Sequence, residues 1–185
     1  MNPHQTASDK PILFPATALT ASLLLLLSGC SKEEQGHNYT IPRTICSMPV
    51  DSEALASILP AGQKITVKDR SYPGTKGCQV IVDGTLIVTT VQMWVEAGRT
   101  AAFVAASQSI DKVDRSAEKG RYQYSAYEAY GKTQGCVDTK HEQELYAVIQ
   151  APSSKHRAPD AMKRLIVSFT KSVEESAECA SGAGR

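Results

Sequence analysis

The chain has 185 residues, of which 42% are hydrophobic and 21% are charged. This composition is typical of a globular protein and argues against a disordered chain. The 20 Lys and Arg residues nearly balance the 19 Asp and Glu residues. Because no strongly basic or acidic surface is indicated, no nucleic-acid partner is predicted.

An uncharged segment near the N-terminus indicates export. Residues 16–27 carry no charge and end in five consecutive leucines. The segment is shorter than the roughly 20 apolar residues that a membrane-spanning helix needs. Its length matches the apolar region of a signal peptide, although the preceding residues are only weakly basic. We predict that residues 1–29 are a lipoprotein signal peptide.

The residues after the leucines specify the kind of signal. Leu27-Ser28-Gly29-Cys30 resembles the lipobox of bacterial lipoproteins. The resemblance implies cleavage before Cys30, which then carries diacylglyceryl and an acyl chain such as palmitate. Two or more chains hold a protein stably on a bilayer. We therefore expect a lipid-anchored protein at the extracytoplasmic face of the cell membrane. The alternatives are an unprocessed anchor or an ordinary signal followed by an incidental cysteine.

The remaining chain divides into a tether and one domain. Residues 30–38 are polar after Cys30 and predict a lipid-anchored flexible tether. Residues 39–185 have a length that suits a single core.

The first half of the domain combines one short helix with strands. Asp51 is placed to cap a helix whose apolar residues include Leu55 and Ile58 and which ends at 60–62. An alternating pattern over 64–69 predicts a strand, and 71–74 a turn. The β-branched runs 78–82 and 86–91 flank Asp83-Gly84, which favours a tight hairpin.

The second half ends in the clearest helix. Thr100 can cap a helix that runs toward Ser107, and the charged segment 111–120 predicts a surface loop. Strands are predicted at 121–127, 135–139 and 144–150. A helix begins at Pro159, with apolar side chains at three- and four-residue spacing: Met162, Leu165, Ile166, Phe169 and Val173. These elements predict an α+β fold, an antiparallel sheet packed by the C-terminal helix and one or two shorter helices.

Four cysteines remain after Cys30. They are Cys46, Cys78, Cys136 and Cys179, an even number in a compartment where disulfides persist. Three pairings are allowed, and we favour Cys46–Cys78 with Cys136–Cys179, each within one half of the chain. A zinc site is the rival interpretation, but zinc cysteines usually come in close pairs, which these are not.

Several short motifs together resemble a protein family. They are Thr44-Ile45-Cys46, Ile58-Leu59-Pro60, the segment from Cys78 to Gly84, and Glu178-Cys179. With the lipobox, they resemble an uncharacterised family of small actinobacterial-type cell-surface lipoproteins. The resemblance covers most of the domain and implies the same disulfide pairing and a folded surface domain. It implies no reaction or catalytic residue. By fold analogy the domain also resembles the PsbP-like sheet-and-helix class, which does not determine function.

Motifs for enzymes and metals are incomplete. No G-x-S-x-G elbow, Walker loop or G-x-G-x-x-G occurs. The S-x-x-K patterns at 116–119 and 168–171 lack the S-D-N and K-T-G that accompany them in penicillin-binding enzymes. The segment 141–145 begins like H-E-x-x-H but has Leu145 in place of the second histidine. We predict no catalytic residue, metal or cofactor.

A group of tyrosines is the remaining candidate for binding. Tyr122, Tyr124, Tyr127 and Tyr130 lie close together in the sequence, and tyrosine offers a stacking face and a hydroxyl. They predict a binding surface for a glycan or peptide. The alternative is that they cover a half-exposed sheet.

These observations favour a non-enzymatic, membrane-tethered binding or interaction module. Its partners would be the membrane, through the lipid on Cys30, and an envelope protein, glycan or small molecule. A secreted envelope hydrolase is the first alternative, and it requires a cleft that groups His141 or His156 with carboxylates. A carrier of a hydrophobic ligand is the second, and it requires an apolar cavity between sheet and helix.

Overall fold

The structure, a computed structural model, describes residues 36–182. The predicted signal peptide, the lipobox and Cys30 lie outside these residues. The strands are β1 (Thr44–Ile45), β2 (Met48–Pro49), β3 (Ile65–Asp69), β4 (Thr75–Val82), β5 (Thr85–Glu96), β6 (Arg115–Ala117), β7 (Tyr122–Tyr124), β8 (Glu128–Asp138) and β9 (Gln143–Gln150). The helices are α1 (Ser52–Ala56), α2 (Ala101–Gln108), α3 (Pro159–Glu174) and α4 (Ala177–Gly182), with a 3-10 turn at Glu118–Gly120.

Seven strands form one antiparallel sheet in the order β3-β4-β5-β9-β8-β7-β6, while β1 and β2 pair separately. The β4–β5 hairpin turns at Asp83 and Gly84, whose φ angles are 47° and 83°. Positive φ at both central residues is what a tight hairpin turn requires. The structure thus confirms the α+β class and this hairpin.

The helix α3 covers one face of the sheet. Its five predicted core residues, Met162, Leu165, Ile166, Phe169 and Val173, are all buried. They pack in one cluster with sheet residues such as Val80 and Ile149. These side chains fill the space between α3 and the sheet. Asp51 caps α1 as predicted, since its Oδ1 accepts the Ala54 N–H at 2.9 Å.

The helix α2 lies on the opposite face. Side chains alternate between faces along a strand, so Tyr146 and Val148 point away from the core that holds Leu145. They form a second buried cluster with Ala101 and Val104 of α2. The Thr100 hydroxyl caps this helix by accepting the Phe103 N–H at 3.1 Å, as predicted.

Three segments differ from their predictions. The predicted loop 111–120 contains the edge strand β6 and the 3-10 turn. The strand predicted at 135–139 is the end of the longer β8, which is irregular between Lys132 and Val137. The helix α4 was not predicted. Each of these segments is rich in polar or small residues and so lacks a clear hydrophobic pattern. Its structure depends on contacts with elements that are distant in the sequence.

Both favoured disulfides are present. Cys46, in the β1–β2 turn, is bonded to Cys78 of β4, and Cys136 of β8 is bonded to Cys179 of α4. Two disulfides fit an extracytoplasmic location. Among residues 36–182, no helix combines the length and apolar character that crossing a membrane requires.

Candidate functional site

A cavity of about 390 Å³ lies where the start of α2, the 3-10 turn and β8 meet. Four of its lining residues are basic, and one is acidic. The basic residues are Arg99, Lys119, Arg121 and Lys132, and the acidic one is Glu118. We call this cavity the basic pocket.

Arg121 is fixed on one wall of the basic pocket. Its guanidinium forms an ion pair with Glu174, and its Nε donates to the Lys132 carbonyl at 3.0 Å. The guanidinium carbon also lies 5.0 Å from the centre of the Tyr122 ring. The Arg121 side chain is only 18% exposed. These contacts hold the guanidinium in place before any ligand arrives.

Lys132 is held on the wall formed by β8. Its Nζ donates to Glu144 Oε2 at 2.7 Å and to the Arg99 carbonyl at 3.0 Å. Burial lowers the pKa of Lys132, but the hydrogen bond to Glu144 and the interactions with Tyr146 and the Glu144 charge together outweigh burial and raise it. Burial likewise raises the pKa of Glu144, and hydrogen bonds from Lys132 and the Gly98 N–H outweigh it, so this pKa is lowered. Both groups are therefore charged at neutral pH.

The 3-10 turn contributes a strained rim. Glu118, Lys119 and Gly120 have φ angles of 48°, 55° and 92°. Left-handed backbone costs a non-glycine residue about 1–2 kcal/mol, and such strain clusters at functional sites. The Lys119 side chain is exposed, and in the part of the chain that the structure describes it forms no ion pair. Lys119 therefore offers the pocket an uncommitted positive charge.

The start of α2 adds to the positive potential. The first N–H groups of a helix carry a partial positive charge that favours anions. Arg99, immediately before the cap, forms an ion pair with Glu96 at 2.6 Å and lies 4.4 Å from the Phe103 ring centre.

Carboxylates behind the cations limit the charge of the basic pocket. Glu96, Glu144 and Glu174 each pair with one of its cations but are not among its lining residues. Glu118, which lines the pocket, also pairs with Arg121 at 3.5 Å. The four carboxylates orient the donors and formally balance the four cations. The arrangement suits one oxyanion group, such as a carboxylate or phosphate, better than a polyanion.

The predicted tyrosine surface is not formed. Tyr122, Tyr124 and Tyr130 are 2%, 8% and 0% exposed. Tyr122 and Tyr124 belong to the core under α3, and Tyr130 to the cluster under α2. Strand alternation sends them to opposite faces that helices cover. Only Tyr127 of the four is partly exposed, so the prediction of a binding surface from these four residues is wrong.

His141 serves a turn outside the basic pocket. Its Nδ1 lies 2.8 Å from Asp138 Oδ2, and Asp138 Oδ1 accepts the backbone N–H groups of Lys140 and His141. The hydrogen bond from His141 is the main cause of a lowered pKa at Asp138. This carboxylate closes the connection between β8 and β9. His141 and Asp138 thus form a pair, but neither lines the basic pocket.

Two further histidines of the described residues, which are far apart in the sequence, line the same cavity. His37 and His156 line a separate cavity of about 590 Å³. Among the described residues that line it, none carries a carboxylate. Within residues 36–182, no group of three His, Cys, Asp or Glu side chains could hold a metal ion.

Comparisons with models of protein families, with curated proteins and with solved structures give no match. The candidate site therefore rests on its own geometry. Of the four basic residues in the pocket, only Lys119 belongs to a sequence motif, as the last residue of an S-x-x-K pattern. The four are spread over 99–132 without a shared motif. The charged pair before a glycine at 118–120 was the one local signal of an unusual turn.

Proposed function

We propose that the mature chain is a lipid-anchored extracytoplasmic lipoprotein that binds a small ligand through one oxyanion group in the basic pocket. The observation that carries the binding role is the grouping of four cations around a strained turn. The lipobox at Cys30 and the resemblance to surface lipoproteins support the anchor. The two disulfides are consistent with export.

Each part of the basic pocket has a role in this proposal. Arg121 presents a planar group whose position is already set by Glu174, so little side-chain entropy is lost on binding. Lys132 supplies a charge that Glu144 orients. Lys119 supplies the third cationic group when its ammonium binds the anion. Charge-assisted hydrogen bonds of this kind are stronger than neutral ones.

Lys119 offers the sharpest test of the binding role. Lys119→Asn removes the charge with a residue that tolerates left-handed backbone. Lys140→Asn is the matched control, because Lys140 is exposed and lies outside the pocket. We expect calorimetric titration with inorganic phosphate and with acetate, at constant ionic strength, to show saturable binding of at least one probe. Lys119→Asn should weaken it by about five- to tenfold.

The same titrations can contradict the binding role. Equal affinities in the wild type and both variants would show that Lys119 takes no part. Absence of saturable binding for both probes would remove the proposal that the pocket recognises an oxyanion.

The anchor has an independent test in intact mass spectrometry of protein extracted from membranes. We expect the wild type to begin at Cys30 with added acyl mass, whereas Cys30→Ala should lack it. The four remaining cysteines should become alkylatable only after reduction. An intact N-terminus would contradict the lipoprotein proposal, and free thiols would contradict export.

A further inference from the structure

The chain is attached to the domain earlier than the predicted tether implies. The His37 Nε2 donates to the Leu59 carbonyl at 3.1 Å. The Asn38 N–H donates to the Gly62 carbonyl at 3.0 Å, and His37 forms a β-bridge with Gly62. From His37 onward, the backbone is therefore fixed against the segment after α1.

An exposed basic loop lies beside this attachment. Lys155, His156 and Arg157 are consecutive and all exposed, and we call them the basic loop. The preceding Ser154 is buried, and its hydroxyl donates to the Ile58 carbonyl at 2.7 Å and accepts the His156 N–H at 3.2 Å. Ser154 thus anchors the basic loop in a fixed place. The side chains of the loop stay exposed, and the Arg157 guanidinium lies 5.8 Å from the centre of the Tyr127 ring.

One cavity joins the two features. The cavity of about 590 Å³ is lined by Gly36 and His37 of the entering chain and by Lys155 and His156 of the basic loop. The point at which the chain enters the domain and the basic loop therefore share one face of the molecule.

An acidic group that lines a cavity together with Lys155 is already engaged. Asp83 and Lys155 line a second cavity of about 250 Å³. The Asp83 carboxylate accepts the backbone N–H groups of Gln63 at 2.9 Å and Lys64 at 2.8 Å. In the described part of the chain, Lys155 and Arg157 form no ion pair with a carboxylate. Their charges remain available to an external anion.

Chain length restricts where this face can lie. Cys30 precedes Gly36 by six positions, so even a fully extended chain between them spans at most about 20 Å. A folded domain of this size has a diameter of roughly 35–40 Å. A lipid on Cys30 consequently keeps the face that contains Gly36 closer to the bilayer than the opposite face.

From this geometry we infer that the basic loop rests on the membrane and contacts anionic phospholipid headgroups. The inference depends on the lipid anchor proposed above, but not on ligand binding in the basic pocket. Each basic residue near an anionic bilayer increases the membrane partition coefficient about fivefold. The basic loop would therefore orient the domain relative to the membrane.

Lysine footprinting of the full acylated protein tests this orientation. The protein is reconstituted in vesicles of phosphatidylcholine alone, or with about one third phosphatidylglycerol, and labelled with an amine-reactive reagent. Lys171 is the internal control, because it is exposed and lies about 18 Å along α3 from Pro159. We expect labelling of Lys155 to fall about fivefold on the anionic vesicles, and to recover in about 0.5 M salt. Labelling of Lys171 should not change.

A charge-matched pair of variants tests whether the basic loop itself is responsible. Lys64 serves as the reporter, because it is exposed and its backbone N–H binds Asp83, which lines a cavity with Lys155. In the wild type, labelling of Lys64 should fall on anionic vesicles as that of Lys155 does. Lys155→Gln/Arg157→Gln should abolish the protection of Lys64 on anionic vesicles. Lys163→Gln/Lys171→Gln, with the same charge change on exposed positions of α3, should retain it.

The outcomes separate this inference from the anchor. Vesicle-bound protein in which Lys155 is labelled equally on both vesicle types overturns the inference and leaves the anchor standing. Equal protection of Lys64 in both double variants overturns it as well. Protein that lacks acyl mass and remains unbound overturns the anchor on which the inference depends.

Discussion

Two buried threonines differ in whether their hydroxyls are satisfied. Thr170 of α3 is 0% exposed, and its Oγ1 has no hydrogen-bond partner. Thr133 of β8 is 6% exposed, and its hydroxyl donates to the Leu145 carbonyl at 2.6 Å. A buried hydroxyl without a partner loses its hydration without compensation. Thr170 therefore reduces the stability of the domain, whereas Thr133 adds to it.

Thr170→Val should raise the free energy of unfolding by up to about 1 kcal/mol, because it replaces an unsatisfied hydroxyl by a methyl group of similar shape. Thr133→Val should lower it by about 1–2 kcal/mol, because the same change removes a made hydrogen bond. Urea denaturation of both variants measures the difference. Equal losses would show that the two hydroxyls have equivalent surroundings.

The ion pair of Glu144 with Lys132 makes stability depend on pH. The pKa of Glu144 is lower in the folded protein than its usual value of 4.5. The stabilisation is complete above the unfolded pKa and is lost as pH falls through the folded one. We expect the free energy of unfolding to decrease below about pH 4.5, and to decrease less steeply in Glu144→Gln. Denaturation between neutral and acidic pH tests this.

The exposed Glu53 provides the control for that measurement. Glu53→Gln removes a carboxylate that, in the described part of the chain, forms no ion pair. Its pH profile should follow the wild type. A Glu144→Gln profile that also follows the wild type would contradict the role assigned to the pair.

Among the elements, α4 is joined to the sheet by a disulfide and by contacts with Trp94. Cys179 bonds it to Cys136 of β8, and Glu178 Oε1 accepts the Trp94 Nε1–H at 2.8 Å. Gly182 packs so closely on Trp94 that an added Cβ would lie 2.1 Å from the ring. The disulfide and the Trp94 side chain thus both help to fix the position of this short helix.

Cys136→Ala/Cys179→Ala should detach α4 and lower the free energy of unfolding by up to about 4 kcal/mol in the loop-entropy model. Trp94 is the only tryptophan of the chain, so its fluorescence reports the detachment directly. Cys46→Ala/Cys78→Ala removes the other disulfide and should destabilise the domain without changing Trp94 emission in the folded state. Unchanged emission in the first variant would show that α4 stays in place without its disulfide.

At the scale of the whole molecule, the two disulfides are a large part of stability. They close loops with sequence separations of 32 and 43 residues. The loop-entropy model assigns about 4 kcal/mol to each, against the 5–15 kcal/mol that is typical of a whole domain. We expect reductant to lower the melting temperature strongly. A melting temperature that reductant does not change would contradict dependence on an oxidising compartment.

Local sequence was sufficient to predict those elements that are stabilised by residues close together in the chain. The buried stripe of α3, the caps at Asp51 and Thr100, and the turn at Asp83 depend on contacts within a few residues. Periodicity and turn chemistry therefore predicted them. The even cysteine count and the preference for pairing within each half also led to the observed disulfides.

Only the tertiary structure decided the rest. The strand β6 and the first part of β8 exist because adjacent strands satisfy their backbone groups, which local sequence does not indicate. Burial of Tyr122 and Tyr130 on opposite faces follows from register and from the helices above them. The basic pocket brings together cations from the segment just before α2, from the 3-10 turn and the residue after it, and from β8. Sequence by itself determined the local elements and predicted an exported, disulfide-bonded domain, whereas a site assembled from distant segments is set by long-range packing.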